Sequence, residues 1–215
     1  MANKNTQPEE VQATQTDRFL AKNGKVVIYA IIAVIVVIAV IVGVNKCSES
    51  RNDEAMKSEV YMQAQFDFEA GQYEAALENF ETLVNEYSST QVGNMAKAYA
   101  GLCKKNLGDM DGAIEYLKQY DGQDDVVAPA ILSALGDCYV ESETPDYKAA
   151  AKAFEKAAAK ANCSEFSPLY LRKAGLAYEA LGDKASALKA YQSIKDQWPD
   201  SEQAAGIDKY VIRVK

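Results

Sequence analysis

Four stretches of the sequence align with one another: AGQYEAALENF (residues 70–80), LGDMDGAIEYL (residues 107–117), TPDYKAAAKAF (residues 144–154) and LGDKASALKAY (residues 181–191). The seventh residue of each stretch is an alanine, and consecutive alanines lie 37 positions apart. The last residue of each stretch is large: Phe80, Leu117, Phe154 and Tyr191. Self-similarity at a fixed period of this length predicts a helical repeat protein, in which each unit buries its apolar face by stacking on its neighbours.

Small residues recur with the same period. A small residue precedes each alanine by twelve positions, or by fourteen in the third unit, where residues 142–145 lengthen the turn; these residues are Ala64, Gly101, Gly136 and Gly175. Two antiparallel helices approach closely only where side chains are small, so we expect these residues to face the alanines, with the large residues filling the space between units. Glycine supplies the turn after the first helix in three units, at Gly71, Gly108 and Gly182.

Together these features resemble the tetratricopeptide repeat. The small residue, turn glycine, alanine and aromatic residue match its signature, as do Leu135-Gly136-x-x-Tyr139 and Ala174-Gly175-x-x-Tyr178. The resemblance covers roughly residues 55–200, although the period of 37 exceeds the 34 of the family and only the fourth unit ends in a proline, Pro199. It implies an all-α solenoid of about four helical hairpins. Near-helical spacing of apolar residues then predicts a C-terminal capping helix, at Ile207, Tyr210, Val211 and Val214.

An uncharged run of 19 residues, VVIYAIIAVIVVIAVIVGV, occupies residues 26–44. As a helix it would be about 28 Å long, close to the thickness of the hydrocarbon core of a bilayer. Valine and isoleucine favour strands in water, but in lipid the backbone must satisfy its own hydrogen bonds, so the run predicts a transmembrane helix. A buried core helix would rarely be this long without a polar residue.

Two other interpretations of the run are a cleaved signal peptide and a lipoprotein signal before Cys47. Asn45 and Lys46 stand where both kinds of cleavage site need small residues, so we expect an uncleaved signal anchor. Basic residues are slightly more frequent before the run than after it, which places the N-terminus in the cytoplasm and the C-terminal part outside. In a bacterium, this is a single-pass inner-membrane protein with a periplasmic domain.

The predicted organisation has four parts. Residues 1–25 form a disordered cytoplasmic tail, residues 26–44 the transmembrane signal-anchor helix and residues 45–52 a polar linker. Residues 53–215 form the repeat domain with its cap.

Composition narrows the possible functions. The chain of 215 residues has a net charge of -8 and contains no histidine. Because an acidic chain neutralises phosphates poorly, we expect no nucleic acid partner. The absence of histidine removes histidine-based catalytic triads and most zinc sites. We therefore predict a protein that is not an enzyme, with no catalytic residues, no metal and no cofactor.

The four cysteines and one acidic segment also favour structural roles. No CxxC motif occurs, and Cys103 and Cys138 stand at equivalent first-helix positions, where core packing is expected rather than redox chemistry. Asp121-Gly-Gln-Asp124-Asp125 lacks the spacing of a calcium loop, so it is interpreted as a solvated linker between repeats.

The resemblance also implies a partner-binding groove, since the first helices line the concave face in the family. Carried over by position, this groove comprises Tyr61, Gln65, Phe68, Met95, Leu102, Lys105, Ser133, Asp137, Val140, Leu169, Arg172, Leu176 and Glu179. Family members that hold a C-terminal carboxylate use Lys and Asn where this sequence has Tyr61 and Gln65, so that clamp is missing. The mostly apolar groove suits a hydrophobic segment or an amphipathic helix. The alternative is that these side chains pack against neighbouring helices or the cap.

The whole arrangement resembles the ancillary Sec translocon subunit family of bacterial inner-membrane tetratricopeptide proteins. The resemblance implies a non-enzymatic adaptor or chaperone-like accessory subunit, whose partners are the Sec translocon, periplasmic folding factors or nascent chains. Residues 26–44 would contact the lipid bilayer. The alternative function is a structural scaffold for cell-envelope or cell-division assemblies.

Overall fold

The computed structural model describes residues 15–215, with side chains from Ala33 onward. The first fourteen residues of the predicted tail lie outside the described residues. The chain divides into two compact units, the first ending at Glu49 and the second comprising Ser50–Lys215. All regular structure in residues 15–215 is helical, which confirms the predicted all-α class.

The first helix, α1 (Gln15–Lys57), contains the apolar run. It includes residues 15–25, where a tail was predicted, and residues 45–52, where a linker was predicted. Residues 45–57 are polar but contain no glycine or proline, so nothing in them interrupts the helix. Within its described side chains, the stretch Ala33–Lys57 is long and apolar enough to cross a membrane, and no residue of its apolar window is buried.

Four helical hairpins form most of the second unit. They pair α2 (Glu59–Glu69) with α3 (Tyr73–Tyr87), α4 (Gln91–Asn106) with α5 (Met110–Leu117), α6 (Val127–Glu141) with α7 (Tyr147–Ala161), and α8 (Ser167–Leu181) with α9 (Lys184–Gln197). The second helices begin at residues 73, 110, 147 and 184, so the period of the sequence is the period of the structure. Gly71, Gly108 and Gly182 have φ values of 74°, 85° and 83°, which confirms their predicted role in the turns.

The glycines of the first helices contact the large residues of the second helices. A Cβ atom on Gly101 would lie 2.7 Å from the Leu117 side chain, and one on Gly136 would lie 2.6 Å from the Phe154 ring. We expected these glycines to face the alanines. The difference arises because long side chains on a helix lean towards its N-terminus and cover the preceding turn, so the large residue reaches back over the alanine four positions earlier.

Both ends of the second unit are covered. At its start, Ala55 of α1 is fully buried, and Asn52 Oδ1 accepts a hydrogen bond of 2.8 Å from the Val92 N–H. At its end, α10 (Asp208–Val214) packs on α9 and buries Ile207 and Val211. The predicted capping helix is therefore confirmed, and the end of α1 provides a second cap that the linker prediction had missed.

Candidate partner-binding groove

The predicted groove residues lie on α2, α4, α6 and α8. The structure separates them into three sets: residues that line small pockets, residues that fill the core, and residues held in ion pairs.

A pocket of about 130 Å³ brings together Tyr61 of α2 and Met95 of α4. The Gln65 side-chain amide donates a hydrogen bond of 3.1 Å to the Tyr61 hydroxyl. Partial burial, with a further contribution from Tyr99, raises the pKa of Tyr61 above its ordinary value, so this hydroxyl stays neutral. Asn52 and Met56 complete the pocket from α1, which the sequence analysis did not assign to this site.

Phe68 belongs to the core. Its ring makes edge contacts with Tyr99 at 5.1 Å, Tyr73 at 5.7 Å and Phe80 at 6.3 Å between centroids. Leu102 is half-buried and packs against the apolar cluster of α5 and α6. For these two residues the packing alternative describes the structure, because the first helices also supply the interior of the solenoid.

A second pocket, of about 180 Å³, lies between α6 and α8. Val140 and Leu176, which line it, are 36% and 41% exposed, and the buried Phe154 ring forms part of its wall. Lys173 is also part of this pocket and was not assigned to the groove from the sequence. Exposed aliphatic side chains around an aromatic ring make this the most apolar recess that the predicted groove residues form.

Lys173 neutralises the Asp137 carboxylate, which also lines this pocket. Its ammonium group donates hydrogen bonds of 2.9 Å to both carboxylate oxygens of Asp137 and one of 3.2 Å to the Ser133 hydroxyl. The same ammonium lies 5.3 Å from the centroid of the Phe154 ring. Because both charges are satisfied internally, a partner segment in this pocket need not supply a counter-charge.

The remaining predicted residues are occupied or partly buried. Lys105 forms an ion pair of 3.9 Å with Glu141, and Leu169 is half-buried. Arg172 Nε is buried and has no hydrogen-bond partner among the described residues.

Glu179 connects the last repeat to the cap. It accepts hydrogen bonds of 2.7 and 2.6 Å from Arg213 of α10 and another from the Tyr191 hydroxyl. Partial burial opposes its ionisation, but these hydrogen bonds outweigh burial and hold the pKa of Glu179 below its usual value. Because its carboxylate is occupied by these internal hydrogen bonds, Glu179 is no longer counted among the candidate groove residues.

The profile of the tetratricopeptide repeat-like domain family matches residues 17–215. The chain belongs to this family. Among solved structures, the nearly identical TPR-like repeats assigned to a kinesin light chain of Podosopora anserina align with a TM-score of 0.55. The identity is 16%, over 72% of this chain and 83% of that one. The MamA protein aligns with a TM-score of 0.52 at 18% identity, over 72% of this chain and 88% of that one. No curated protein matches the sequence.

These similarities support a protein–protein interaction module. At such identities the two solved structures establish the fold alone, and tetratricopeptide repeat-like domains are typically interaction scaffolds. Within the described side chains, no cluster of three or more potential metal ligands occurs. Burial raises the pKa of the Cys103 thiol to about 12 and that of Cys138 to about 11, so neither is poised as a nucleophile.

Proposed function

We propose that this protein is a membrane-anchored adaptor that binds hydrophobic segments of other proteins. It would be anchored in the bacterial inner membrane by residues 26–44, with its N-terminus in the cytoplasm and its repeats in the periplasm. Its role would be that of a non-enzymatic accessory subunit at the Sec translocon, with translocon subunits, folding factors or nascent chains as partners.

The pocket between α6 and α8 is the observation that carries this proposal. Val140 and Leu176 remain exposed there although most apolar residues of the repeats are buried. An aliphatic or aromatic side chain entering the pocket would be removed from water against the Phe154 ring, while the Lys173–Asp137 pair stays intact. Burial of one such side chain stabilises a complex by about 1.5–3 kcal/mol, which suits reversible binding of unfolded segments.

The exposed apolar part of α1 supports the anchoring component. Its valine and isoleucine side chains are more than half exposed from Val34 to Val44. In water this surface would be unfavourable, whereas in lipid it would be solvated by acyl chains. Anchoring would also raise the local concentration of the pockets near membrane exit sites.

Photocrosslinking in living cells tests the proposal. A photoreactive phenylalanine analogue replaces Leu176 in the full chain, and the matched control carries it at Lys189, an exposed position of α9 outside the pocket. We expect crosslinks from position 176 to translocon subunits, periplasmic folding factors or nascent chains. Equal crosslinks from both positions, or none from position 176 in a strain that exports normally, would contradict it. Crosslinks to wall-synthesis or division proteins would favour the scaffold alternative.

A further inference from the structure

A groove lies where the second hairpin meets the third, beside the short helix α5. The helices α3 and α7 are 15 residues long, whereas α5 has 8. The positions of its missing two turns, residues 118–124, form a loop instead. Beside this loop lies a cavity of about 360 Å³. It is lined by the half-buried side chains of Leu132, Tyr139 and Ala149 and by the buried Leu135 and Ala153 of α6 and α7.

Hydrogen bonds fix the loop in the position that keeps the groove open. The Asn94 side chain donates a bond of 2.9 Å to the Asp121 carbonyl and accepts one of 3.0 Å from the Asp121 N–H. The Asp124 carboxylate accepts hydrogen bonds from the first N–H groups of α6. The segment interpreted as a solvated linker thus caps the start of α6 and is held to α4 by Asn94. The groove is therefore part of the folded domain.

Lysines border the groove in an otherwise acidic unit. Lys148, Lys152, Lys156 and Lys160 follow one another at intervals of four along α7, and residues at this spacing share one helix face. Lys152 and Lys156 line the groove, as does Lys118 at the end of α5. Among the described residues, no carboxylate lies within ion-pairing distance of these three ammonium groups. Their charge is thus not neutralised by an ion pair in the part of the chain that the structure describes.

We propose that this groove binds an amphipathic helix of a partner protein, with acidic side chains flanking its apolar face. Apolar side chains of that helix would contact Leu132, Leu135 and Tyr139, and its carboxylates would lie against Lys118, Lys152 and Lys156. A helix laid in a groove is a recurring mode of recognition, and opposite charges at the rim orient it. The length left open by the missing turns is about 11 Å, enough for two turns of such a helix.

The recessed apolar floor favours a helix over a membrane surface as the occupant. An anionic bilayer would meet the lysine row from outside and leave the half-buried Leu132 and Tyr139 uncovered. A helix can place protruding apolar side chains between α5 and α7 while its flanks meet the lysines. This surface is separate from the pocket between α6 and α8, so it goes beyond the proposed function and is tested independently.

Peptide binding to the full chain in neutral-lipid nanodiscs tests the inference by fluorescence anisotropy. The probe is a labelled helix of about 18 residues with leucines at i, i+3, i+4 and i+7 and flanking glutamates, and the control peptide carries lysines instead. We expect the acidic peptide to bind and the basic one not to bind. The double variant K152E/K156E should weaken binding about tenfold, and A149W, which fills the groove without changing charge, should abolish it.

The double variant K148E/K160E is the matched control. It makes the same change in net charge on the same helix but outside the groove, so its affinity should fall by less than about threefold. Circular dichroism of each variant verifies that the repeats remain folded. An equal effect of both double variants, equal binding of the two peptides, or unchanged binding by A149W would overturn the proposal. Cosedimentation with phosphatidylglycerol vesicles that requires Lys152 and Lys156, without peptide binding, would identify a lipid site instead.

Discussion

The hairpins α4–α5 and α6–α7 begin alike and end differently. Both second helices start one period apart, and in both an aspartate caps the start: Asp109 accepts a hydrogen bond of 2.9 Å from Gly112 N–H, and Asp146 one of 2.9 Å from Ala149 N–H. However, α7 continues to Ala161 through an alanine-rich segment, while α5 stops at Leu117. The start of a repeat helix is therefore set by the periodic turn, and its end by local residues.

The local residues that end α5 have low helix propensity. Asp121 and Gly122 occupy positions where α7 has Ala158 and Ala159, and both are poorer helix formers than alanine. Asn94 then binds the Asp121 backbone in its non-helical form. The two hairpins thus show how one repeat becomes a binding surface through the loss of two turns, while its neighbour keeps the regular packing.

Truncation of the large core residues should give the largest difference in stability between the two hairpins. Phe154 is 2% exposed and packs on Gly136, so Phe154→Ala should lower the opening free energy of α7 by about 4 kcal/mol. Leu117→Ala in the shorter helix should cost about 3 kcal/mol in α5. Native-state hydrogen exchange measures the two helices separately. A larger loss in α5 than in α7 would contradict the view that the full-length helix carries more of the packing.

A methyl group added where the first helix contacts the second should also affect the stability of the two hairpins differently. In Gly136→Ala the new Cβ meets the Phe154 ring at 2.6 Å, and a rigid ring can yield only by moving as a whole. We expect a loss of about 1–3 kcal/mol, typical of an overpacked core. In Gly101→Ala the neighbour is Leu117, which can change rotamer, so the loss should be smaller. Thermal unfolding of both variants compares them directly, and equal melting temperatures would show that ring rigidity is unimportant.

The sequence predicts the repeat helices well because their signals are local. The turn glycines with positive φ and the apolar spacing of the cap are patterns of residues a few positions apart. Because the turn pattern returns every 37 residues, each repeat can be recognised from its own short stretch of sequence. Residues 45–52 differ from the prediction because polar composition suggested a linker, although the segment lacks helix breakers. There Arg51 donates to the Glu86 carbonyl and Asn52 accepts from Val92, contacts with residues far away in the sequence.

The candidate groove was less predictable because its residues depend on distant partners. Position within the repeat placed Glu179 on the concave face, but Arg213 of the cap, 34 residues later, binds it. Lys173 was missed although it neutralises Asp137. Equivalence between repeats predicts which face of a helix a residue lies on, but not the ion pairs that it forms with a neighbouring helix. The shortened α5 gave only a weak signal, the Asp121-Gly122 pair.

Removing the charge of a helix-cap aspartate should have a smaller effect on stability, and this effect should depend on pH in one hairpin. Asp109→Asn removes the charge that the Lys104 ammonium binds at 2.8 Å, while an N-cap amide preserves much of the cap. Hydrogen bonds from Lys104 and from Gly112 N–H hold the pKa of Asp109 below its ordinary value. Its folded pKa is therefore below the unfolded value, so its stabilising contribution is complete above about pH 4 and declines as the pH falls further.

Thermal unfolding of wild type and Asp109→Asn between pH 3 and pH 7 measures this contribution. Because the pair is exposed, we expect a difference of about 0.5 kcal/mol or less at pH 7 that shrinks towards pH 3. Asp146→Asn in the third hairpin is the control, because Asp146 has no ion pair among the described residues. A difference for Asp109→Asn that grows as the pH falls would contradict the sign.

The smallest change in stability is expected from a variant that makes the two hairpins alike. Asp121→Ala with Gly122→Ala raises helix propensity by about 1 kcal/mol or more, but a helix through residues 118–124 gives up both Asn94 hydrogen bonds, so the two effects nearly cancel. Hydrogen exchange should then show new protection of the amides of residues 118–124. The acidic peptide should lose its site at the same time, because the added turns cover Leu132 and Tyr139. Protection without loss of peptide binding would show that the missing turns do not create the groove, and the difference between the hairpins would then be one of length alone.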